Sequence, residues 1–222
     1  MTIDPSNLTE SVMESLNRIP DISLSDIPNI DLYMDQLTTF MDEQLSHTTR
    51  YPGEDKVLTK MMINNYAKND LLPPPIRKKY SRDHMILLIF IYYYKNILSI
   101  NDIQRLIEPL KERFHISDTE KLTLSDIYTE ICELEKSQME STKEDIRQKI
   151  ARSEKTFADA PEEYRERMQM FSLISMLSYD VYIKKLLIEK IIDGFEEPQG
   201  KKTQGKQEGK RKRRQMNKQE RD

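Results

Sequence analysis

Three consecutive prolines, Pro73 to Pro75, are the tightest constraint on how this 222-residue chain can fold. None of them has an amide to donate, and each holds the residue before it in extended backbone, so no helix can run through them. The helical segment upstream must therefore be short. It also carries a clear start signal. Thr59 suits an N-cap whose hydroxyl satisfies an otherwise orphaned amide of the first turn. Leu58 and Ile63 occupy the two positions of a hydrophobic staple. Downstream lies a short basic loop with Arg77, Lys78, Lys79 and Arg82, and Ser81 caps a further helix to about Lys95. The order predicted is a short capped helix, a stiff turn, a basic loop and a long apolar helix.

Charge is concentrated on this same stretch. Between Arg50 and Arg82 stand eight Lys/Arg against three acids, whereas residues 1–49 hold nine acids and a single base, Arg18. Residues 83–197 are acidic as well, with 23 acids against 16 bases. The formal net charge of −3 conceals this division, because the last 25 residues alone carry ten Lys/Arg against three acids. A basic island in an otherwise acidic protein is the electrostatic footprint of a surface built for a polyanion.

Several function classes are disfavoured. Only Gly53 and Gly194 precede the tail, so a glycine loop cradling phosphate and a dinucleotide fingerprint are both absent. His47, His84 and His115 are widely spaced, and none has a second His or Cys at ligand spacing, so no metal and no cofactor is expected. No glycine-flanked nucleophile turn accompanies the many Ser and Asp residues. The reading is of a protein that is not an enzyme. The single cysteine, Cys132, excludes an internal disulfide. No apolar run approaches the roughly 20 residues of a membrane helix, and the acidic start from Asp4 fits neither a secretory signal nor a transit peptide. A reduced, cytoplasmic protein is expected.

The pattern is helical nearly throughout, so the predicted class is all-α. A short helix is expected near Leu8 to Arg18, and a firmer one from about Asp31 to Leu45, where Tyr33, Leu37, Phe40, Met41 and Gln44 recur at helical spacing. Ser99 and Asp102 make a capping-box start to a helix carrying Ile100, Ile103, Leu106 and Ile107. A helix from Ser125 into the 150s follows, then a final one with Pro161 in its first turn and Gly194 just past its end. A tiny hairpin at the basic loop is the one place for a sheet. From Pro198 onward the chain is basic and almost without apolar residues, which reads as disorder. Four regions result: an N-terminal extension at 1–30, a helix-turn-helix domain with a wing at 31–113, a helical dimerisation or effector region at 114–197, and a disordered basic tail at 198–222.

Tyr66 followed by Leu71, Leu72 and Pro73 resembles the Y-x-x-x-G-L-I-P rhythm of the MerR-type winged helix-turn-helix regulators. Thr59 falls where that family has its Ser cap, and Lys78 with Tyr80 falls on its wing motif. Leu98, Ser99, Ile100, Asp102 and Ile103 are similar to its G-F-S-L-x-E-I segment. The string TKxMxNNYxK…PxxKKYS also resembles a bacterial family described only as a domain of unknown function. The resemblance covers roughly residues 56–107. Asn64 and Asn65 replace the family's Arg-Tyr, Asp70 replaces its turn glycine, and the wing is shorter. The resemblance implies a MerR-like fold and double-stranded DNA as partner. With no cysteines at the end of the long helix, it does not imply metal sensing.

The residues agree on their own terms. With Leu58, Met62, Ile63 and Tyr66 turned to a core, the 3.6 period puts Lys60, Met61, Asn64, Asn65 and Lys68 on one outer face. Asn suits the two-bond readout of adenine in a major groove, and Lys60 and Lys68 suit phosphates. Arg77, Lys78, Lys79 and Arg82, with Tyr80 as a flat stacking surface, are assigned to a wing on the phosphate backbone or minor groove. The DNA-binding set is therefore Thr59, Lys60, Met61, Asn64, Asn65, Lys68, Arg77, Lys78, Lys79, Tyr80 and Arg82. Phe90, Tyr92, Tyr93 and Tyr94 are read as core packing.

On the final helix, Met170, Ile174, Leu177, Val181, Ile188 and Ile191 form a heptad-like seam interrupted by Lys184. Two arrangements stay open, a homodimer through this seam and an internal bundle with the 125–154 helix. The function expected is a sequence-specific transcriptional regulator, a repressor since no activation feature is visible. The competing expectation is an adaptor that docks an acidic protein partner on the same basic helix.

Overall fold

The structure, a computed structural model, describes residues 7–19, 21–51, 53–114 and 122–195. The tail at 198–222 and His115 lie outside the described residues. In chain order the elements are α1 (Leu8–Asn17), β1 (Leu32–Tyr33), α2 (Met34–Leu45), α3 (Lys60–Lys68), β2 (Lys79–Tyr80), α4 (Arg82–Tyr94), α5 (Ile100–Lys111), α6 (Leu124–Ser153) and α7 (Glu162–Asp193). The described chain is thus mostly helical, with a two-stranded antiparallel sheet that pairs Leu32 with Tyr80 and Tyr33 with Lys79.

α4 is the centre of the fold. Every residue from His84 to Tyr92 is buried, as expected of a helix that is apolar all round. Ser81 starts it, its amide donating to His84 Nδ1 at 2.9 Å. Phe90 stacks on Tyr94 and meets Tyr128 of α6 edge-on, so the aromatic cluster contributes largely to packing. Around α4 lie Leu37, Met41 and Leu45 of α2, Ile63 and Tyr66 of α3, and Ile103 and Ile107 of α5. Ile100, read as part of the apolar side of α5, is instead exposed.

The stretch read as helix from Asp31 begins as strand. Leu32 and Tyr33 pair with β2 before α2 starts, and the Gln36 side chain accepts from the Tyr33 amide at 2.9 Å. This corrects the reading of Tyr33 as one of the residues recurring along the helix. Its ring is exposed, because alternation in a strand sends it opposite to buried Leu32.

The core also reaches outside residues 31–113. Ile22 and Ile27 enter it from the preceding loop, and Leu124 and Tyr128 from the start of α6. The Tyr128 hydroxyl donates to the Ile22 carbonyl at 2.7 Å. The loop between α2 and α3 is tied to α4 as well, where Lys95 Nζ donates to the Val57 carbonyl at 2.7 Å and lies over the Tyr92 ring. Burial there pushes the Lys95 ammonium below its ordinary value.

α6 and α7 form a helical hairpin. Gln169 Nε2 donates to the Glu154 carbonyl at 2.6 Å, Thr156 and Ser172 share a hydrogen bond at 3.0 Å, and Lys149 meets Asp180 at 2.8 Å. Leu173 is buried. Of the heptad-like seam, Met170 and Leu177 are half-buried, while Ile174, Val181, Ile188 and Ile191 remain exposed. No described helix is long and apolar enough to cross a membrane.

Candidate nucleic-acid interface

α3 is held by local devices at both ends. At its start, Thr59 Oγ1 accepts from the Met62 amide at 3.2 Å, while Leu58 and Ile63 are buried as a staple requires. At its end, the Leu71 amide donates to the Tyr66 carbonyl at 2.8 Å and the Asp70 amide to the Ala67 carbonyl at 3.4 Å. This is the Schellman pattern, with buried Tyr66 and Leu71 supplying its apolar contact. Asp70 takes the left-handed conformation the pattern needs, with φ 57°. Lys111 reinforces it by donating to the Asp70 carbonyl at 2.8 Å.

A helix fixed in this way has a defined outward face. Lys60, Met61, Asn64, Asn65 and Lys68 are all exposed, Met61 to 73%. No described residue bonds the side-chain amides of Asn64 and Asn65; the neighbouring Asn69 amide goes to the Asn65 backbone carbonyl at 2.9 Å. Lys60 is different, since its ammonium pairs with Asp35 of α2. Thr59 is occupied as the cap.

The basic loop closes as a tight hairpin. Ile76 and Lys79 exchange both backbone hydrogen bonds, at 3.1 and 2.9 Å. Arg77 and Lys78 at its tip have φ of 50° and 65°. Two left-handed residues in a two-residue connection make a type I′ turn, which favours Asn-Gly and here carries two long cations. Arg77 and Lys78 are exposed. Lys79 is partly exposed, with its ammonium 5.1 Å from the Tyr33 ring centroid.

Of the residues assigned to the wing, Tyr80 belongs to the interior and Arg82 is partly buried. Tyr80 is 3% exposed, pairs with Leu32 and meets the His84 ring edge-on. It offers no stacking surface, because strand alternation turns it inward while Lys79 faces out. Burial pushes its phenol above its ordinary value. Arg82 is partly buried and donates from Nη2 to the Ile27 carbonyl at 2.9 Å, fastening the start of α4 to the loop before β1.

The start of α3 and the base of the hairpin are joined through one short segment, residues 33–35. Tyr33 sits under Lys79 and Asp35 pairs with Lys60. Neither Tyr33 nor Asp35 is assigned to this interface by the sequence. Only the strand pairing of residue 33 with 79, which apolar periodicity does not encode, could have revealed them.

A small cavity of about 30 Å³ lies elsewhere, lined in part by Asp21, Tyr93, Tyr128, Cys132 and Glu135. It has room for about one water molecule. Burial pushes the Cys132 thiol up and the Tyr93 phenol up to about 12, which leaves both groups protonated and chemically quiet at neutral pH. Among the described residues no group of three or more His, Cys, Asp or Glu side chains is arranged to hold a metal ion.

Residues 22–131 match the model of a family described as a domain of unknown function, DUF1836. The matched stretch starts at Ile22 and ends at Ile131, and so spans nearly all of the core around α4. No curated protein and no solved structure matches the chain.

Proposed function

We propose that this protein is a sequence-specific DNA-binding transcriptional regulator, acting as a repressor, with α3 in the major groove and the 76–79 hairpin as a short wing. The observation that carries the reading is the outward face of α3. It presents Asn64, Asn65, Met61 and Lys68 from a helix locked at both ends, beside a turn that displays Arg77 and Lys78. Rigid presentation is what base readout requires, because a two-bond contact fails when its side chain is free to wander. The order β1, α2, α3, hairpin, α4 is read as a MerR-like winged helix-turn-helix. The reading includes a homodimer through the exposed seam of α7, since two-fold proteins fit two-fold sites.

Selection of full-length protein on random duplexes, followed by footprinting in cells, tests the proposal. The expected result is one enriched motif and protected sites that contain it. Equal affinity for all duplexes, with no protected sites, would overturn the proposal and favour an adaptor that uses the same basic face for an acidic protein.

A further inference from the structure

We infer that the bases read by α3 are adenine and thymine, so that each half-site has a short A·T core. This rests on the DNA-binding reading above and concerns only what the helix reads. Each base offers a different pattern in the major groove. Guanine presents two acceptors and calls for Arg or Lys. Cytosine presents a donor and calls for a carboxylate. Adenine presents one acceptor and one donor, which an Asn amide matches with its own donor and acceptor, and thymine presents a methyl group suited to an apolar contact.

The outward stripe of α3 contains no arginine and no carboxylate. Of its two lysines, Lys60 has its charge met by the Asp35 carboxylate at the edge of this face. Lys68 is the last residue of the helix, whereas base edges are met by the N-terminal part of a recognition helix. What remains is Met61, 73% exposed, with Asn64 and Asn65 three and four residues later on the same stripe. These are the side chains for a thymine methyl and for adenine. At 1.5 Å of rise per residue, Met61 and Asn65 are about 6 Å apart along the axis, roughly two base-pair steps. The three side chains therefore fall on about three consecutive base pairs.

The test is affinity selection on random duplexes with the full chain, run in parallel for wild type and for Met61→Ala, Asn64→Ala and Asn65→Ala. The positions at which a variant's consensus relaxes are those its residue reads. These positions are expected to be A·T, and placing G·C there should cost wild type about five- to a hundredfold in affinity. Asn65→Arg should move the preference at its position to guanine. Relaxation at G·C positions, or no relaxation in any variant while wild type still selects a motif, overturns the inference and leaves the DNA-binding reading standing. Failure of wild type to select any motif overturns both.

Discussion

Asp35 and Lys60 form an ion pair between the first turn of α2 and the first residue of α3, at the edge of the face proposed to meet DNA. Both side chains are well exposed, so the pair adds little to stability. Its effect falls on the surface charge, since it places a carboxylate beside a lysine suited to a phosphate. Asp35→Asn should raise affinity for cognate and scrambled DNA alike and steepen the salt dependence by up to about 0.9 in log–log slope. Lys60→Ala should do the reverse. Anisotropy titrations across a salt series measure both. An unchanged slope in both variants would put this corner off the DNA.

The hairpin tip predicts effects of opposite sign on stability and binding. Arg77 and Lys78 both hold left-handed backbone, at about 1–2 kcal/mol per residue for side chains of this kind. Replacing them with Asn and Gly should raise the melting temperature, because that pair suits a type I′ turn. The same change removes two cations, so the salt slope should flatten by roughly two units while site preference is kept. Thermal melts and salt titrations on one preparation suffice. A stabilised variant with wild-type salt dependence would show that the tip points away from DNA.

Arg82 separates from its basic neighbours in the same assays. Its guanidinium donates to the Ile27 carbonyl, and hydrogen bonds of charged groups contribute about 1.5–3 kcal/mol. Arg82→Ala should lower stability by that order in denaturant titrations, with the salt slope of DNA binding unchanged. A loss of slope at full stability would return Arg82 to the wing.

The contrast between Arg82 and Arg77 illustrates what was legible in the sequence. Helix limits were readable because they are encoded locally. Thr59, Ser81 and Ser99 all cap as expected, and Pro161 and Gly194 bracket α7. The outer face of α3 followed from the 3.6 period. Asp70 stood out as a departure from a glycine pattern, yet its backbone takes the left-handed conformation that glycine favours. Tyr80 and Tyr33 were misplaced because their directions depend on the pairing of β1 with β2, which joins residues 46 and more positions apart, and Arg82 because it is tied to the Ile27 carbonyl, 55 positions away. Two-residue strands are too short to show alternation. The participation of Ile22 and Tyr128 in the core was invisible for the same reason.

Two capping aspartates make stability sensitive to acid. Asp26 accepts from the Ser23 hydroxyl at 2.6 Å and its amide at 2.8 Å, and Asp126 from the Thr123 amide and hydroxyl, both at 2.8 Å. These bonds hold both carboxyls below their ordinary value of 3.8. A depressed folded value means that the stabilisation is complete above the unfolded carboxylate value, about 3.9. It is lost as pH falls through the lower folded value. Asp126→Asn should shrink the fall in melting temperature between pH 5 and pH 2. A fall identical to wild type would show that this cap does not contribute.

The seam of α7 supplies the last prediction. Gln169, Ser172 and Asp180 make the polar contacts with the α6 hairpin and its loop, while Ile174, Val181, Ile188 and Ile191 are left in water, Val181 at 62% exposure. Each such side chain gains about 1.5–3 kcal/mol on full burial, so a row of them, even with Lys184 within it, favours association. A second copy offers the same row and closes the contact on itself, with no open surface left to extend. Wild type should sediment as a dimer at micromolar concentration. Val181→Glu places charges on the two-fold seam and should sediment as a monomer, with helix content unchanged because the residue packs against little in its own chain. DNA affinity should fall with it, since two half-sites are held together only while the two readers are joined. A wild-type monomer at that concentration would remove the dimer from the proposal. A monomeric variant that binds DNA as tightly as wild type would show that each copy reads its site alone.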